Sequence, residues 1–232
     1  MRKITFGPVV VFAVCLLLAI MLGVMTTAAL LGLVAVGDFR GVTGAAVGLV
    51  SIYVYALVLH RLLLLVAPLR EGAIAEGSRE EFNYHVYLLF YLLLFQPLTR
   101  SLFLPVPLMR VIYRALGARL GNNTYSAGTI LDPPLTEVGH NTIIGHDAVL
   151  FSHLVNGREL SLAAIRIGDN VTIGAKAVIM PGVVIGDGAI VAVGAVVAKD
   201  SRIGSGELWG GIPARPIKPS EPVGIETYSN RL

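Results

Sequence analysis

The apolar residues of the chain fall into blocks before they fall into a period. Ile4 to Gly37 carries no charged residue, and Val42 to Pro68 is interrupted only by His60 and Arg61. A helix that crosses a bilayer needs about 20 apolar residues. Each run therefore predicts one long helix; the first has turns to spare but is too short for two spans and a turn. Gly37-Asp38-Phe39-Arg40-Gly41 is a short polar turn between them, so the pair reads as a helical hairpin. Arg2 and Lys3 give the chain a positive start, as in a signal peptide. The first run is far longer than the ~7–15 residues of a signal core, and the second follows at once, so an anchor is the better reading. A third run, Phe82 to Phe95, is short for a span and rich in aromatics (Tyr84, Tyr87, Phe90, Tyr91, Phe95). It predicts an interfacial or re-entrant helix. Pro97, Pro105 and Pro107 should break any longer helix, leaving Leu108 to Leu116 as a further short one.

Past Leu120 the pattern becomes periodic, with a period of six. Val138-Gly139-His140-Asn141-Thr142-Ile143 is followed by Ile144-Gly145-His146-Asp147-Ala148-Val149. After a break come hexapeptides starting at Ile167, Ile173, Ile179, Ile185 and Val191, all in phase. The first position is Ile or Val, the second usually Gly, and the fifth Ala, Val or Thr. Repeats of this kind predict one short strand and one corner each, three of them closing a triangular coil whose first-position aliphatics stack inward. Small fifth residues leave room near the corner, and glycine suits the tight bends. An α/β sheet is excluded over Ile167 to Val196, because parallel strands would need long crossovers between them.

Composition sharpens the division. Hydrophobic residues make up 55% of the 232 and charged residues only 14%, below the quarter or so typical of soluble domains. The net charge of +3 gives no case for nucleic acid. Arg2 and Lys3 flank the first run, and Arg61, Arg70 and Arg79 the end of the second, whereas the turn has Arg40 offset by Asp38. This bias places both ends of the hairpin in the cytoplasm. Arg100, Arg110, Arg114 and Arg119 are either attracted to anionic headgroups or simply solvated. Cys15 is the only cysteine, so no internal disulfide framework exists.

Residues Ile167 to Ile217 resemble the hexapeptide-repeat acyltransferases, in particular the galactoside, maltose and xenobiotic acetyltransferase group. The phased repeats carry the resemblance, with Val196-Val197-Ala198-Lys199-Asp200 and the ending Gly211-Ile212-Pro213-Ala214-Arg215-Pro216-Ile217. It implies a left-handed parallel β-helix, a homotrimer, and an acyl-CoA such as acetyl-CoA lying between adjacent prisms. It also implies a histidine base on a loop that interrupts the coils. Leu150 to Glu159 interrupts them here, and His153 matches that histidine; His146 ranks second. Histidine suits the task because its ordinary pKa is near 6.5. Glu159 or a backbone carbonyl would orient it, and a backbone N–H of the groove would hold the oxyanion. Lys199 and Arg215 match basic positions near the CoA phosphates. Gly174, Ala192 and Gly194 would line the cofactor groove. Trp209 is either an end cap of the helix or a wall of that groove. Thr172 stands where relatives often carry a tryptophan against the cofactor arm.

The expected organisation is an all-β left-handed β-helix with an α-helical membrane region. Residues 1–70 form the transmembrane hairpin, 71–119 the interfacial helices and linker, 120–218 the acyltransferase domain and 219–232 a tail. The expected function is acyl transfer to an envelope glycan or lipid-linked acceptor at the cytoplasmic face of the inner membrane, with membrane lipids as further partners. Two other readings stand beside it. One is a metalloenzyme of the γ-carbonic-anhydrase type, which needs converging histidines; the spacing of His140, His146 and His153 does not resemble that class, and no metal site is expected. The other is a non-catalytic trimeric membrane scaffold.

Overall fold

The computed structural model describes residues 3–34, 37–101 and 104–217. Arg2 and the tail at 219–232 lie outside the described residues. Helix α1 (Phe6–Leu33) and helix α2 (Arg40–Val66) form the expected hairpin. Small residues set their approach. A Cβ on Gly23 would stand 2.5 Å from Ile52, and Gly44 and Gly48 face Leu31 and Thr27. The two helices are long and apolar enough to cross a membrane. Much of their apolar surface faces away from the rest of the chain, including Leu17, Val24 and Met25 on α1 and Val50, Leu65 and Val66 on α2.

The segment after the hairpin is less of a linker than its composition suggests. Gly72–Ile74 is a strand. Ser78 then caps helix α3 (Arg79–Phe90), its hydroxyl accepting the Glu81 N–H at 3.1 Å, while the Glu81 carboxylate accepts the Gly77 N–H at 2.6 Å. This reciprocal arrangement is a capping box shifted by one residue. The helical run does not stop at Pro97 as expected, but it does end at Thr99, ahead of Pro105. Tyr91–Phe95 forms a π turn that leads into helix α4 (Gln96–Thr99), with Pro97 in its first turn. A proline lacks the N–H for the bond four residues back and crowds that carbonyl; the wider π turn just before it relieves the conflict. Tyr84, Tyr87, Phe90, Tyr91 and Phe95 are all buried within the protein. Helix α5 (Val106–Leu116) ends at Gly117, whose φ is +121°.

From Arg119 onward the chain winds into a triangular prism. Face one stacks Arg119–Leu120, Thr136–Val138, Ile165–Ile167, Val184–Ile185 and Arg202–Ile203. Face two stacks Tyr125–Ser126, Ile143–Ile144, Thr172–Ile173, Ile190–Val191 and Leu208–Gly211. Face three stacks Thr129–Ile130, Val149–Leu150, Val178–Ile179 and Val196–Val197. All these pairings are parallel. First-position residues such as Ile144, Ile173, Ile179, Val191 and Val197 are buried in the shaft. Stacked partners are 18 residues apart, as in Asp169 and Asp187. Across the break the separation rises to 29, as in His140 and Asp169, and the surplus is extruded as a hairpin.

Two positions of the repeat have separate causes. The second-position glycines are not at the sharp bends. They are needed because coils stack closely: a Cβ on Gly174 would stand 2.5 Å from the Val193 nitrogen, and one on Gly145 2.6 Å from that of Ala175. The bend falls at position four, where Asn141, Asp147, Asn170, Lys176 and Asp200 adopt φ between +53° and +59° and Gly182, Gly188 and Gly194 do the same job. Asn and Asp tolerate this left-handed backbone better than other side chains.

The same substitution should therefore have different outcomes at the two positions. Gly174→Asn should lower the thermal midpoint strongly, at a cost of about 1–3 kcal/mol or more for the overlap. Gly194→Asn, with φ of +69° and open space around it, should cost about 1 kcal/mol or less. Equal losses in thermal unfolding would contradict this division.

Candidate functional site

The break in the repeat is a β-hairpin. His153–Asn156 pairs antiparallel with Glu159–Leu162 around Gly157, whose φ is +61°. A third strand lies on its outer side: Gly72–Ile74 pairs antiparallel with Leu160 to Leu162. The segment leaving the α1–α2 hairpin thus completes the sheet that carries His153. Ion pairs fasten it there. Glu76 holds Arg158 at 2.8 Å, and Glu71 binds Arg166 and accepts the Ala164 N–H at 2.9 Å. The Ala164 bond and the Arg166 charge hold the Glu71 carboxyl below the usual range, against its burial.

The partner of His153 is Asp132. The imidazole Nδ1 lies 2.7 Å from Oδ2 of a carboxylate that is 1% exposed. The same oxygen accepts the Ser152 N–H at 2.7 Å. Asp132 begins a tight turn, Pro133–Leu135, and its carbonyl accepts both the Leu135 N–H and the Thr136 hydroxyl at 3.0 Å. Ser152, also buried, donates its hydroxyl to the Leu135 carbonyl at 3.2 Å. Burial alone would lower the His153 pKa, but the hydrogen bond and charge of Asp132 together outweigh it, and the pKa rises above the ordinary value. A buried carboxylate on Nδ1 fixes the tautomer and leaves Nε2 to face outward. Among the described residues Nε2 makes no hydrogen bond.

Helix α3 walls this pair. The rings of Tyr84 and Phe151 stand 6.3 and 5.8 Å from that of His153. Tyr87 donates its hydroxyl to the Leu131 carbonyl at 2.9 Å and Tyr91 to the Ile130 carbonyl at 2.6 Å. Tyr113 of α5 donates to the Gly128 carbonyl and accepts the Ile130 N–H. Burial and the Asp132 charge push the Tyr84 phenol up, so it stays neutral beside the carboxylate.

The remaining expected site residues are spread over the edges of the prism. His140 is at the edge between faces one and two, where Nδ1 accepts the Asn122 N–H at 3.0 Å. His146 is at the edge between faces two and three, exposed and 3.5 Å from Asp147. With His153 at the third edge, the three histidines do not converge. No group of three metal-ligating side chains occurs among the described residues. Glu159 does not orient His153. It pairs in register with Asn156, at the far end of the hairpin and exposed, because His153 starts its strand and Glu159 starts the return. Gly174, Ala192 and Gly194 gather on the second edge with His146, and Arg215 faces Gly210 on the same side. Lys199 stands apart from them on the His153 edge, 3.6 Å from Asp200. Trp209 ends the inward column of face two above Val191, with its indole N–H bonded to Glu207 at 2.8 Å; it closes the prism.

Asp132 and the tyrosines were not read from the sequence. A faint signal for Asp132 exists: Asp132-Pro133-Pro134 breaks the hexapeptide phase one coil below the hairpin, 20 residues before Ser152.

Residues 164–199 match the family model described as bacterial transferase hexapeptide (six repeats). The fold is that of the hexapeptide-repeat acetyltransferases, a left-handed parallel β-helix. A protein of Bacillus subtilis (strain 168) named as an acetyltransferase, YvoF, is 42% identical over 92 residues. The match takes in 40% of this chain and 52% of that protein, so the chain spans about half the length of its curated relative. The hexapeptide-repeat containing acetyltransferase VCA0836 of Vibrio cholerae, solved with acetyl coenzyme A, aligns with a TM-score of 0.49 at 22% identity, over 66% of this chain and 96% of that one. A galactoside acetyltransferase solved with coenzyme A aligns at 0.41 and 21%, over 72% and 81%.

Because Asp132 raises the His153 pKa, the pair stabilises the fold fully below the ordinary histidine pKa and loses that contribution as the pH climbs through the elevated one. Asp132→Asn should move the His153 titration to lower pH. Imidazole NMR, with the signal assigned by its loss in His153→Gln, measures this, and an unmoved titration would discount the carboxylate's role.

Proposed function

We propose that this chain is a membrane-anchored acyltransferase that moves an acyl group, acetyl in the simplest case, from CoA to a hydroxyl or amine of a glycan or lipid-linked acceptor. The observation that carries the reading is the Asp132–His153 pair, set on a hairpin that interrupts hexapeptide coils. Nε2 of His153 takes the acceptor proton as the acceptor oxygen or nitrogen attacks the thioester carbonyl. The tetrahedral intermediate then collapses, the C–S bond breaks, and the imidazolium returns its proton to the departing thiolate, leaving neutral His153 and the free CoA thiol. Asp132 keeps the ring oriented and stabilises its charged form, as a buried carboxylate does in other base-assisted nucleophilic enzymes.

The cofactor belongs on the second edge in this reading, where Gly194 leaves open space for a pantetheine arm above Gly174 and Ala192, and Arg215 offers a cation. That edge is a full face away from His153 within one chain. Juxtaposing the two in a neighbouring prism completes the site, which supports a homotrimer. Membrane anchoring is supported by the exposed apolar flanks of α1 and α2. The antiparallel hairpin brings the start of α1 beside α3, with Gly7 against Phe82. Lys3, Arg61, Arg70 and Arg79 therefore stand on the prism side, the cytoplasmic side by the charge bias.

Full-length protein in detergent should bind acetyl-CoA in calorimetry and pass labelled acetyl groups to a membrane fraction. His153→Ala should retain binding and lose about a hundredfold or more in transfer. Subunits carrying His153→Ala or Arg215→Glu, inactive alone, should regain transfer when mixed. A folded protein that binds no acetyl-CoA would sink the transferase reading in favour of a scaffold; mixtures that stay inactive would place both halves of the site in one chain.

A further inference from the structure

An open groove of about 1000 Å³ lies between the end of α2, the end of α5 and face one of the prism. Its upper wall is apolar, built from Leu64, Leu65 and Leu69, which continue the membrane hairpin. Its charges are uneven. On the floor, Arg119 is paired with Glu137 and Arg166 with Glu71. Arg61 and Arg114 also line it, and among the described residues neither has a carboxylate within ion-pair distance. Gly117 makes room for Arg61: a Cβ there would stand 2.9 Å from its Nη1 and 3.2 Å from Pro134.

Along the prism the groove runs toward the edge where Gly139 and His140 line it, and neither the buried Asp132 nor His153 is among its lining residues. Two unpaired guanidiniums match the oxygens of a phosphate in charge and fork geometry, and the leucines above them match an alkyl chain.

From these observations we infer that the groove binds the phosphate headgroup of an anionic membrane amphiphile. The inference rests on the membrane-anchored reading for the word membrane, and on the groove alone for the binding.

The test titrates the full chain in neutral detergent with dihexanoyl phosphatidic acid, followed by calorimetry. Arg114→Gln and Arg61→Gln should each weaken binding about tenfold. Arg61→Lys, which keeps the charge beside Gly117, should lose less, and Arg79→Gln, outside the groove, should lose nothing. His153→Ala should bind as the parent does. Equal affinity for dihexanoylglycerol would overturn the inference, since the headgroup is then unread. Full competition by millimolar inorganic phosphate would overturn it in favour of a free-anion site, and displacement by acetyl-CoA in favour of a cofactor site. If phosphatidic acid fails to bind a chain that still binds acetyl-CoA, the groove inference falls and the transferase reading stands. If it binds a chain that takes no acetyl-CoA, the reverse holds.

Discussion

Each coil of the prism must lie one strand spacing above the last, and the rest of the molecule is arranged around that closeness. Coils about 4.8 Å apart share their backbone hydrogen bonds, as in Gly174 to Val191 and Gly145 to Ile173. They leave no room for side chains where one corner sits over the next. Glycine or alanine at position two answers this steric demand, and the left-handed residue at position four turns the chain within it. The aliphatic at position one then has a fixed place in the shaft. An insertion at a corner does not disturb the stack, because the 29-residue step across the hairpin rejoins the same columns as the 18-residue steps. The prism can therefore carry a chemical group on an excursion without losing register.

That excursion gains its rigidity from outside the repeat. A hairpin alone is marginal in water. Here its outer edge is covered by Gly72–Ile74 and its base is tied by Ser152 and His153 to Asp132. The Asp132 turn is itself held by the hydroxyls of Tyr87 on α3 and Tyr91 in the π turn after it, on the two preceding carbonyls. Desolvation and pairing work against each other at His153, and the pairing prevails because the carboxylate is both close and buried. An exposed acid at the same distance would be screened and would do less.

Much of the fold was legible because its signals are local. Six-residue periodicity marks the coils from Val138 to Val196, and long apolar runs, the second interrupted only by His60 and Arg61, mark α1 and α2. The reading of glycine was half right: position two needed it for clearance rather than for its backbone freedom, a distinction that depends on the neighbouring coil. His153 was visible through the break in phase and the resemblance. Asp132 was not, because its pairing with His153 is a contact between coils and its own segment reads as a proline turn. Glu159 looked plausible by proximity in sequence, yet a hairpin carries the ends of its strands apart. Tyr87 and Tyr91 read as part of an interfacial or re-entrant helix because their hydroxyl partners, the carbonyls of Leu131 and Ile130, leave no trace in sequence. The helix through Pro97 was missed because a π turn has no reliable sequence mark.

The strand Gly72–Ile74 has a bearing on how the molecule can be divided. An apolar hairpin joined to a finished prism would be a module, removable at a linker. Here the chain emerging from α2 becomes an edge of the hairpin that carries His153, and the next helix braces the carboxylate behind it. The two halves share a boundary inside the candidate site rather than between domains. Cutting at the change in composition near Leu120 would spare the stacked coils above it and take away the strand and the helix that flank the His153 imidazole. The apolar hairpin and the prism are thus joined through the strands that bear His153, and strain in one is felt in the other.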